Sequence, residues 1–347
     1  MKPLSAADLG HVIDNTCKLW DKVRGKKIFL SGATGFFGIW LLESMAYCNR
    51  NLNLDLSAVV LCRDPVRFRE QMPHIAQESC IQFLKGDVRT FDFPPEEFEY
   101  LIHAAAPTIA PSSLDAEELL SILIDGTRRI LAFAKSRGTQ RMLFVSSGAV
   151  YGQQPSGVKY ISEDYRGGPD WINPDSSYAE GKRVSEQLCA IAARKLPIQM
   201  AIARCFAFVG PHLPLHQHFA IGNFIANALA NEPILIRGDG TPMRSYLYAS
   251  DLAVWLWTLL LADPRQSTNP TVINVGSSNA VSIHDLARLV ARVLNPTLEI
   301  RIEEKPRDGA LSLQYVPDAR RAEALYGLRE SISLEQAIRH TAEWHRS

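Results

Sequence analysis

The sequence predicts an α/β protein, a doubly wound parallel sheet with a smaller mixed α/β lobe towards its C-terminal end. Three observations predict it. A glycine-rich turn, Gly32-Ala33-Thr34-Gly35-Phe36-Phe37-Gly38, follows the strand-like run Lys27-Ile28-Phe29-Leu30. Short apolar runs then alternate with helix-length segments, the order of a parallel sheet with crossover helices. After Gly210-Pro211 the alternation ends in the irregular His212-Leu213-Pro214-Leu215-His216 and a strand-rich stretch.

Strands are expected at residues 28–30, 58–61, 81–84, 100–102, 142–145 and 199–203. They are nearly continuous apolar runs, as strands covered on both faces are. Helical length and periodicity mark residues 38–47, 116–136 and 178–195, and later 219–230 and 283–294. Ahead of the first strand, Leu9, Val12, Ile13, Cys17 and Trp20 share one helical face, with Ser5-x-x-Asp8 as a capping box. Asp239-Gly240 signals a turn between residues 234–236 and 244–248. Residues 1–210, joined by about 243–276, are expected to build the sheet, and 211–347 mainly the smaller lobe.

Lys plus Arg and Asp plus Glu number 37 each, which removes the whole-protein electrostatic argument for nucleic acid or an anionic membrane as partner. The six cysteines show no close spacing, so neither a metal site nor a disulfide framework is expected. Free thiols fit a reducing compartment. The first residues offer no signal-peptide core, and the apolar stretch 252–262 is shorter than the roughly 18 residues a membrane span needs. These features predict a soluble, cytoplasmic protein.

Chemistry concentrates in two motifs. In a strand-turn-helix, Gly32 permits the tight turn, Gly35 lets backbone approach a pyrophosphate, and Gly38 lets the helix pack on the strand. The helix start, from Phe36 and Phe37, adds free N–H groups and a favourable dipole. Downstream, Tyr178 and Lys182 stand four apart on one helical face. An ammonium beside a phenol, with an oxidised nicotinamide adding positive charge, would lower the phenol pKa towards the working pH. Ser146-Ser147 end the fifth predicted strand, the edge where such sheets bind ligands.

The spacing Gly-x-x-Gly-x-x-Gly together with Tyr-x-x-x-Lys resembles the short-chain dehydrogenase/reductase superfamily, in its extended branch of NAD(P)-dependent nucleotide-sugar epimerases and dehydratases. The resemblance runs from about residue 26 to about 340. It includes Gly86-Asp87-Val88, His103-Ala104-Ala105-Ala106, Val145-Ser146-Ser147-Gly148-Ala149-Val150-Tyr151-Gly152, Gly238-Asp239-Gly240 with Arg244, and Asn274-Val275-Gly276.

That resemblance implies a Rossmann fold whose turn, with Thr34, carries the dinucleotide. It implies that Asp87 and Val88 flank the adenine, that Ala104, Ala105 and Ala106 line the dinucleotide path, and that Ser146 lies beside it. Ser147 joins the hydrogen-bond network of Tyr178 and Lys182, the catalytic set. Arg244 and Arg307 contact the diphosphate of a nucleotide-diphosphate sugar, and Asn223 its backbone. A homodimer would form through helices 116–136 and 178–195. Tyr248-x-x-Asp251 is expected to pack the junction between the two parts.

NAD and NADP part at the end of the second strand, where a carboxylate accepts the ribose 2′-OH and a cation accepts a 2′-phosphate. Cys62 falls at the usual acidic position with Arg63 next, which favours NADP; a one-residue shift would bring in Asp64 and reverse the preference.

The chain also departs from the pattern. Dehydratases and decarboxylases of the family place acids just after the catalytic hydroxyl, where this sequence has Gly148 and Ala149. Glu163, Asp164 or Asp175, on nearby loops, could substitute only if folding brings them within reach. The family asparagine after the sixth strand is replaced at or near Ala207. An epimerase or ketoreductase acting at sugar C4 needs only the phenol, the hydroxyl and the coenzyme, and is the expected activity. The rivals are a dehydratase with displaced acids, a reductase of non-sugar carbonyls and a non-catalytic dinucleotide-binding regulator.

Overall fold

The computed structural model describes residues 1–107, 115–217, 219–266, 268–304 and 313–346. The strands are β1 (Lys27–Ser31), β2 (Ser57–Cys62), β3 (Ile81–Lys85), β4 (Tyr100–His103), β5 (Arg141–Ser147), β6 (Gln199–Cys205) and β7 (Phe208–Val209). Further on come β8 (Ile234–Ile236), β9 (Met243–Arg244), β10 (Leu247–Tyr248), β11 (Thr271–Val275), β12 (Val281–Ser282), β13 (Ile300–Ile302) and β14 (Gln314–Tyr315). The helices are α1 (Ala6–Thr16), α2 (Phe36–Leu52), α3 (Pro65–Gln71), α4 (Pro73–Ala76), α5 (Ala116–Ser136) and α6 (Ser177–Lys195). They continue with α7 (Ala220–Ala230), α8 (Ala249–Leu261), α9 (Ile283–Leu294), α10 (Arg320–Tyr326) and α11 (Leu334–Arg346).

All six strands expected from apolar runs form, each slightly longer than its run. They join β11 in one sheet of order β11-β6-β5-β4-β1-β2-β3, parallel throughout. Strand order reverses between β1 and β4, which opens a crevice at their C-terminal ends. Successive side chains of β1 point to opposite faces. Ile28 and Leu30 join the core beneath α1, α2 and α8, whereas Phe29 joins Phe91, Phe98 and Phe133 under α5 and α6. The Phe29 ring centroid lies 4.4 Å from that of Phe133.

Helix α2 outruns its predicted end. The polar run Cys48-Asn49-Arg50-Asn51 resembles a loop, but the helix stops only at Asn53, whose φ of 50° is left-handed and whose N–H donates to Asn49. Ser5 caps α1 as expected, its hydroxyl accepting the Asp8 N–H at 3.0 Å. Cys17 leaves the buried face and is exposed, because the chain tightens there into a 3-10 helix over Cys17–Val23, with three residues per turn.

Tyr248 and Asp251 join the N-terminal helix to the C-terminal part of the chain, Asp251 accepting the Ser331 and Ile332 N–H groups at 2.9 and 3.0 Å and the Tyr248 ring lying 5.6 Å from that of His340. They clasp the N-terminal helix: the Tyr248 hydroxyl donates to Asp8 at 2.8 Å, and Asp251 lies 3.1 Å from His11 Nε2. Gly240 turns with φ 77°, as the Asp-Gly signal predicts. The flanking strands nevertheless enter different sheets, β8 pairing with β13 and β9 with β12 and β14. Among the described residues no helix is long and apolar enough to cross a membrane. The apolar helix α8 is instead wholly buried.

Candidate active site

At the end of β1 the turn takes the shape its glycines predict. Gly32 has φ 77°, and a Cβ there would stand 2.4 Å from the Ala104 backbone. A Cβ on Gly38 would stand 2.1 Å from Ala33, so only glycine lets α2 sit this close to the turn. At Gly35 a Cβ would meet nothing nearer than 3.9 Å. That face is open, and the first N–H groups of α2 point into it without helical partners. Thr34 and Gly35 are exposed there, while Phe36 and Phe37 are half-buried, Phe37 packing edge-on against Phe208. The cradle therefore fits a dinucleotide pyrophosphate.

Beyond β2, Cys62 is buried and Arg63 is exposed. Asp64 is committed to helix α3, its carboxylate accepting the Arg67 N–H at 3.0 Å. Asp87 is chelated by Arg89 through Nε at 2.8 Å and Nη2 at 2.9 Å, and that guanidinium holds its carboxyl below the usual range. Val88 is buried against Gly126 of α5. Ala104, Ala105 and Ala106 follow β4 half-buried along the crevice.

His103, just before them, is fully buried between Ser31 and Thr127. Thr127 gives its hydroxyl proton to the Leu123 carbonyl, so it accepts from His103 Nε2, and Nδ1 accepts from Ser31. Burial lowers the His103 pKa to about 3, with the Lys182 charge adding to the effect.

The hydroxyl, phenol and ammonium come together at the ends of β5 and α6. The Ser147 hydroxyl faces the Tyr178 phenol and favours its ionised form. Lys182 is buried and donates to the Val145 carbonyl at 2.7 Å, 4.9 Å from the centre of the Phe144 ring. Burial pushes the Lys182 pKa down to about 8 and the Tyr178 pKa up to about 12. Desolvation of the phenol outweighs the opposing effect of Ser147, and the ammonium is turned towards backbone. Ser146 points away from Tyr178, donating to Glu186 at 2.6 Å.

No carboxylate of the three weighed from sequence joins this set. Glu163 accepts the Asn274 N–H at 2.8 Å beside β11, and burial raises its carboxyl. Asp164 pairs with Arg321 at 2.6 Å, and Asp175 is exposed in the turn before α6. Arg244 is half-buried with its guanidinium 6.0 Å from the centre of the Tyr315 ring. Asn223 donates to the Gln217 carbonyl at 2.7 Å, bracing the loop ahead of α7. Arg307 lies outside the described residues.

Two groups escaped the sequence reading. Glu186, one turn beyond Lys182, takes the Arg204 guanidinium at 2.6 Å and so ties α6 to β6. Its i+4 spacing was a usable signal; Arg204, distant in sequence, gave none. Tyr315 also enters the site from β14, its hydroxyl lying over Gly148. It carries no local pattern in the sequence.

An open glycine cradle beside a paired hydroxyl and phenol, on the carboxyl edge of a doubly wound sheet, defines a dinucleotide-dependent enzyme. Residues 28–276 match the model of the NAD dependent epimerase/dehydratase family, and the chain belongs to that family. It is 30% identical over 323 residues to UDP-glucuronic acid decarboxylase 1 of Xenopus tropicalis, covering 92% of this chain and 72% of that protein. Its fold is similar to that of UDP-N-acetylglucosamine 4-epimerase from Methanobrevibacter ruminantium M1 in complex with UDP-N-acetylmuramic acid (TM-score 0.77, 20% identity, 92% of this chain and 98% of that one). It also matches UDP-glucuronic acid 4-epimerase from Bacillus cereus in complex with UDP-glucuronic acid and NAD (TM-score 0.74, 21% identity, 92% and 99% covered). The decarboxylase match supports the family, and the two solved structures share the fold.

Proposed function

We propose that the protein acts on a nucleotide-diphosphate sugar by hydride transfer at C4, as a 4-epimerase or a 4-ketoreductase. The observation that carries this reading is the Ser147 hydroxyl facing the Tyr178 phenol, followed by two residues, Gly148 and Ala149, that hold no acid. Tyr178 takes the proton of the C4 hydroxyl on oxidation and returns it to the oxygen on reduction. Ser147 hydrogen-bonds the same oxygen, and the buried charge of Lys182 favours the phenolate form. The nicotinamide, when bound, accepts hydride from C4 or gives it back. Elimination would require a further acid or base near C5 and C6, and Glu163 and Asp164 are engaged elsewhere.

Gly32 to Gly38 and Ala104 to Ala106 would hold the dinucleotide, with Ser146 behind them. Exposed Arg63, buried Cys62 and the use of Asp64 as a helix cap support NADP over NAD. Arg244 is suited to the sugar diphosphate, and Arg307 and Asn223 are proposed with it. Helices α5 and α6 lie side by side, and α6 exposes Val184 and Ile191, which supports pairing with a second copy.

The match to UDP-glucuronic acid decarboxylase 1 favours a second reading. A ketone at C4 stands β to a C5 carboxylate and so promotes its loss as carbon dioxide. The reaction begins with the same Tyr178 step.

The test incubates the purified protein with UDP-sugars and their 4-keto forms, with NADPH or NADH, and follows coenzyme absorbance and product mass. Isomerisation or ketone reduction, abolished by Tyr178→Phe with coenzyme binding retained, is the expected result. Loss of carbon dioxide or of water would replace the reading, and turnover indifferent to Tyr178→Phe would remove it. Sedimentation of the same preparation reads the dimer.

A further inference from the structure

One piece of chain, residues 208–217, joins the coenzyme cradle to the residues suited to the sugar nucleotide. On its near side it lies along α2, the helix whose amino end closes the cradle. Phe208 meets Phe37 edge-on with ring centroids 5.1 Å apart, and the Pro211 carbonyl accepts the Trp40 indole N–H at 3.0 Å. His212 Nε2 stands 3.5 Å from Glu43 Oε1. Phe37, Trp40 and Glu43 are neighbours on the helix surface, spread along roughly 9 Å of its axis. On the far side, Phe208 and Val209 pair in parallel with Leu247 and Tyr248, the strand that follows Arg244. The other end of the segment precedes α7, where the Asn223 side chain donates to the Gln217 carbonyl at 2.7 Å. Gly222 of the same helix leaves room for the Pro214 carbonyl, which a Cβ would meet at 3.1 Å.

The segment is strained at His212. Its φ of 68° is left-handed, although the residue carries a Cβ. Its ring is wholly buried, 4.5 Å from the Trp344 ring, and neither ring nitrogen has a hydrogen-bond partner among the described residues. Leaving buried polar atoms unpaired costs free energy. The acceptor at hand is Glu43, whose Oε1 also meets His74 Nε2 at 3.0 Å and whose Oε2 takes the Leu4 N–H at 2.7 Å. An approach of about half an ångström would turn the His212–Glu43 contact into a hydrogen bond of ordinary length. Strain and an unmade bond at the point that faces the coenzyme helix mark a contact with two arrangements, open and closed.

We propose that residues 208–217 couple the two ligand sites: phosphates bound at the start of α2 seat that helix against the segment, close the His212–Glu43 contact and set Asn223 and Arg244 for the sugar nucleotide, with Trp40 and His212 as positioning residues. The proposal rests on the nucleotide-sugar reading above. Helix α2 is continuous from Phe36 to Leu52, so a shift at its amino end is also a shift at Glu43. The Trp40 bond keeps Pro211, the residue before His212, in step with it. Coupling of this kind is reciprocal, so a filled sugar-nucleotide site tightens the cradle by the same factor.

The test uses two probes that lack the groups through which the ligands would touch: UDP, without the sugar, and ADP-ribose, with or without a 2′-phosphate, without the nicotinamide. Calorimetric titration of the full chain should show UDP binding about fivefold tighter with the cradle filled, and ADP-ribose binding tighter by the same factor with UDP present. His212→Asn, which tolerates a left-handed φ, and Trp40→Phe should each bring that factor towards one while changing either affinity alone by less than about twofold. Independent binding in the wild type overturns the proposal, as does coupling that survives either substitution. Weaker binding of both probes with the factor unchanged assigns these residues a structural role alone and overturns it too. Failure of UDP to bind while ADP-ribose binds removes the nucleotide-sugar reading, and the coupling falls with it.

Discussion

Lys182 gives a hydrogen of its ammonium to the main-chain carbonyl of Val145, 2.7 Å away, rather than to the phenol of Tyr178. The one-turn spacing on α6 that puts both residues on one helical face thus does not produce an ammonium–phenol contact. It produces a buried cation anchored to β5 beneath the site. Ser147 is the group that favours ionisation of the phenol, against its burial.

This arrangement makes Lys182 costly for folding and useful for turnover. Replacing it by Met keeps an apolar stem of similar length and removes a charge whose burial lowers its pKa to about 8. The Lys182→Met variant should keep or raise the thermal midpoint while kcat falls by about a hundredfold or more. Melting curves and steady-state rates on one preparation check both halves. A lowered midpoint with intact turnover would contradict the assignment.

The parts legible from sequence are those whose physics is local. Strands β1 to β6 show as apolar runs because helices cover both faces, and the Gly32 turn shows because φ 77° and the close approach of Ala104 tolerate no side chain. Helix α5 falls on the residues its periodicity marks. What could not be read depends on distant partners. Tyr315 matters because β14 sets it over Gly148, and Arg204 because Glu186 waits on another element. The Asp239-Gly240 turn was visible, but its two-residue and three-residue neighbours take their pairing from strands many residues away.

Coenzyme choice should follow Arg63. It is exposed just past β2, where Cys62 is buried and Asp64 caps α3, so a 2′-phosphate would find a guanidinium and a ribose 2′-OH would find no free carboxylate on this loop. Fluorescence titration should give tighter binding of NADPH than of NADH. Arg63→Ala should weaken NADPH by about tenfold, the worth of one charge-assisted hydrogen bond, and leave NADH unchanged. Cys62→Asp should move the preference towards NADH. Tighter NADH binding in the wild type, indifferent to Arg63→Ala, would reverse the assignment.

Acid stability should carry the signature of His103. Its folded pKa is depressed to about 3 from an ordinary value of 6.5, because burial between Ser31 and Thr127 disfavours the charged ring. In the unfolded chain the same ring takes a proton below pH 6.5. Unfolded chains therefore bind more protons than folded ones between those two values. Stability from this group is complete above the upper value and falls with pH, at a limiting slope of about 1.4 kcal/mol per unit, until the folded ring also protonates. His103→Gln cannot titrate, so the variant should be less stable at neutral pH yet lose less on acidification. Denaturant midpoints of both proteins at neutral pH and about two units lower measure the difference of slopes. Equal slopes would show that the acid sensitivity arises elsewhere.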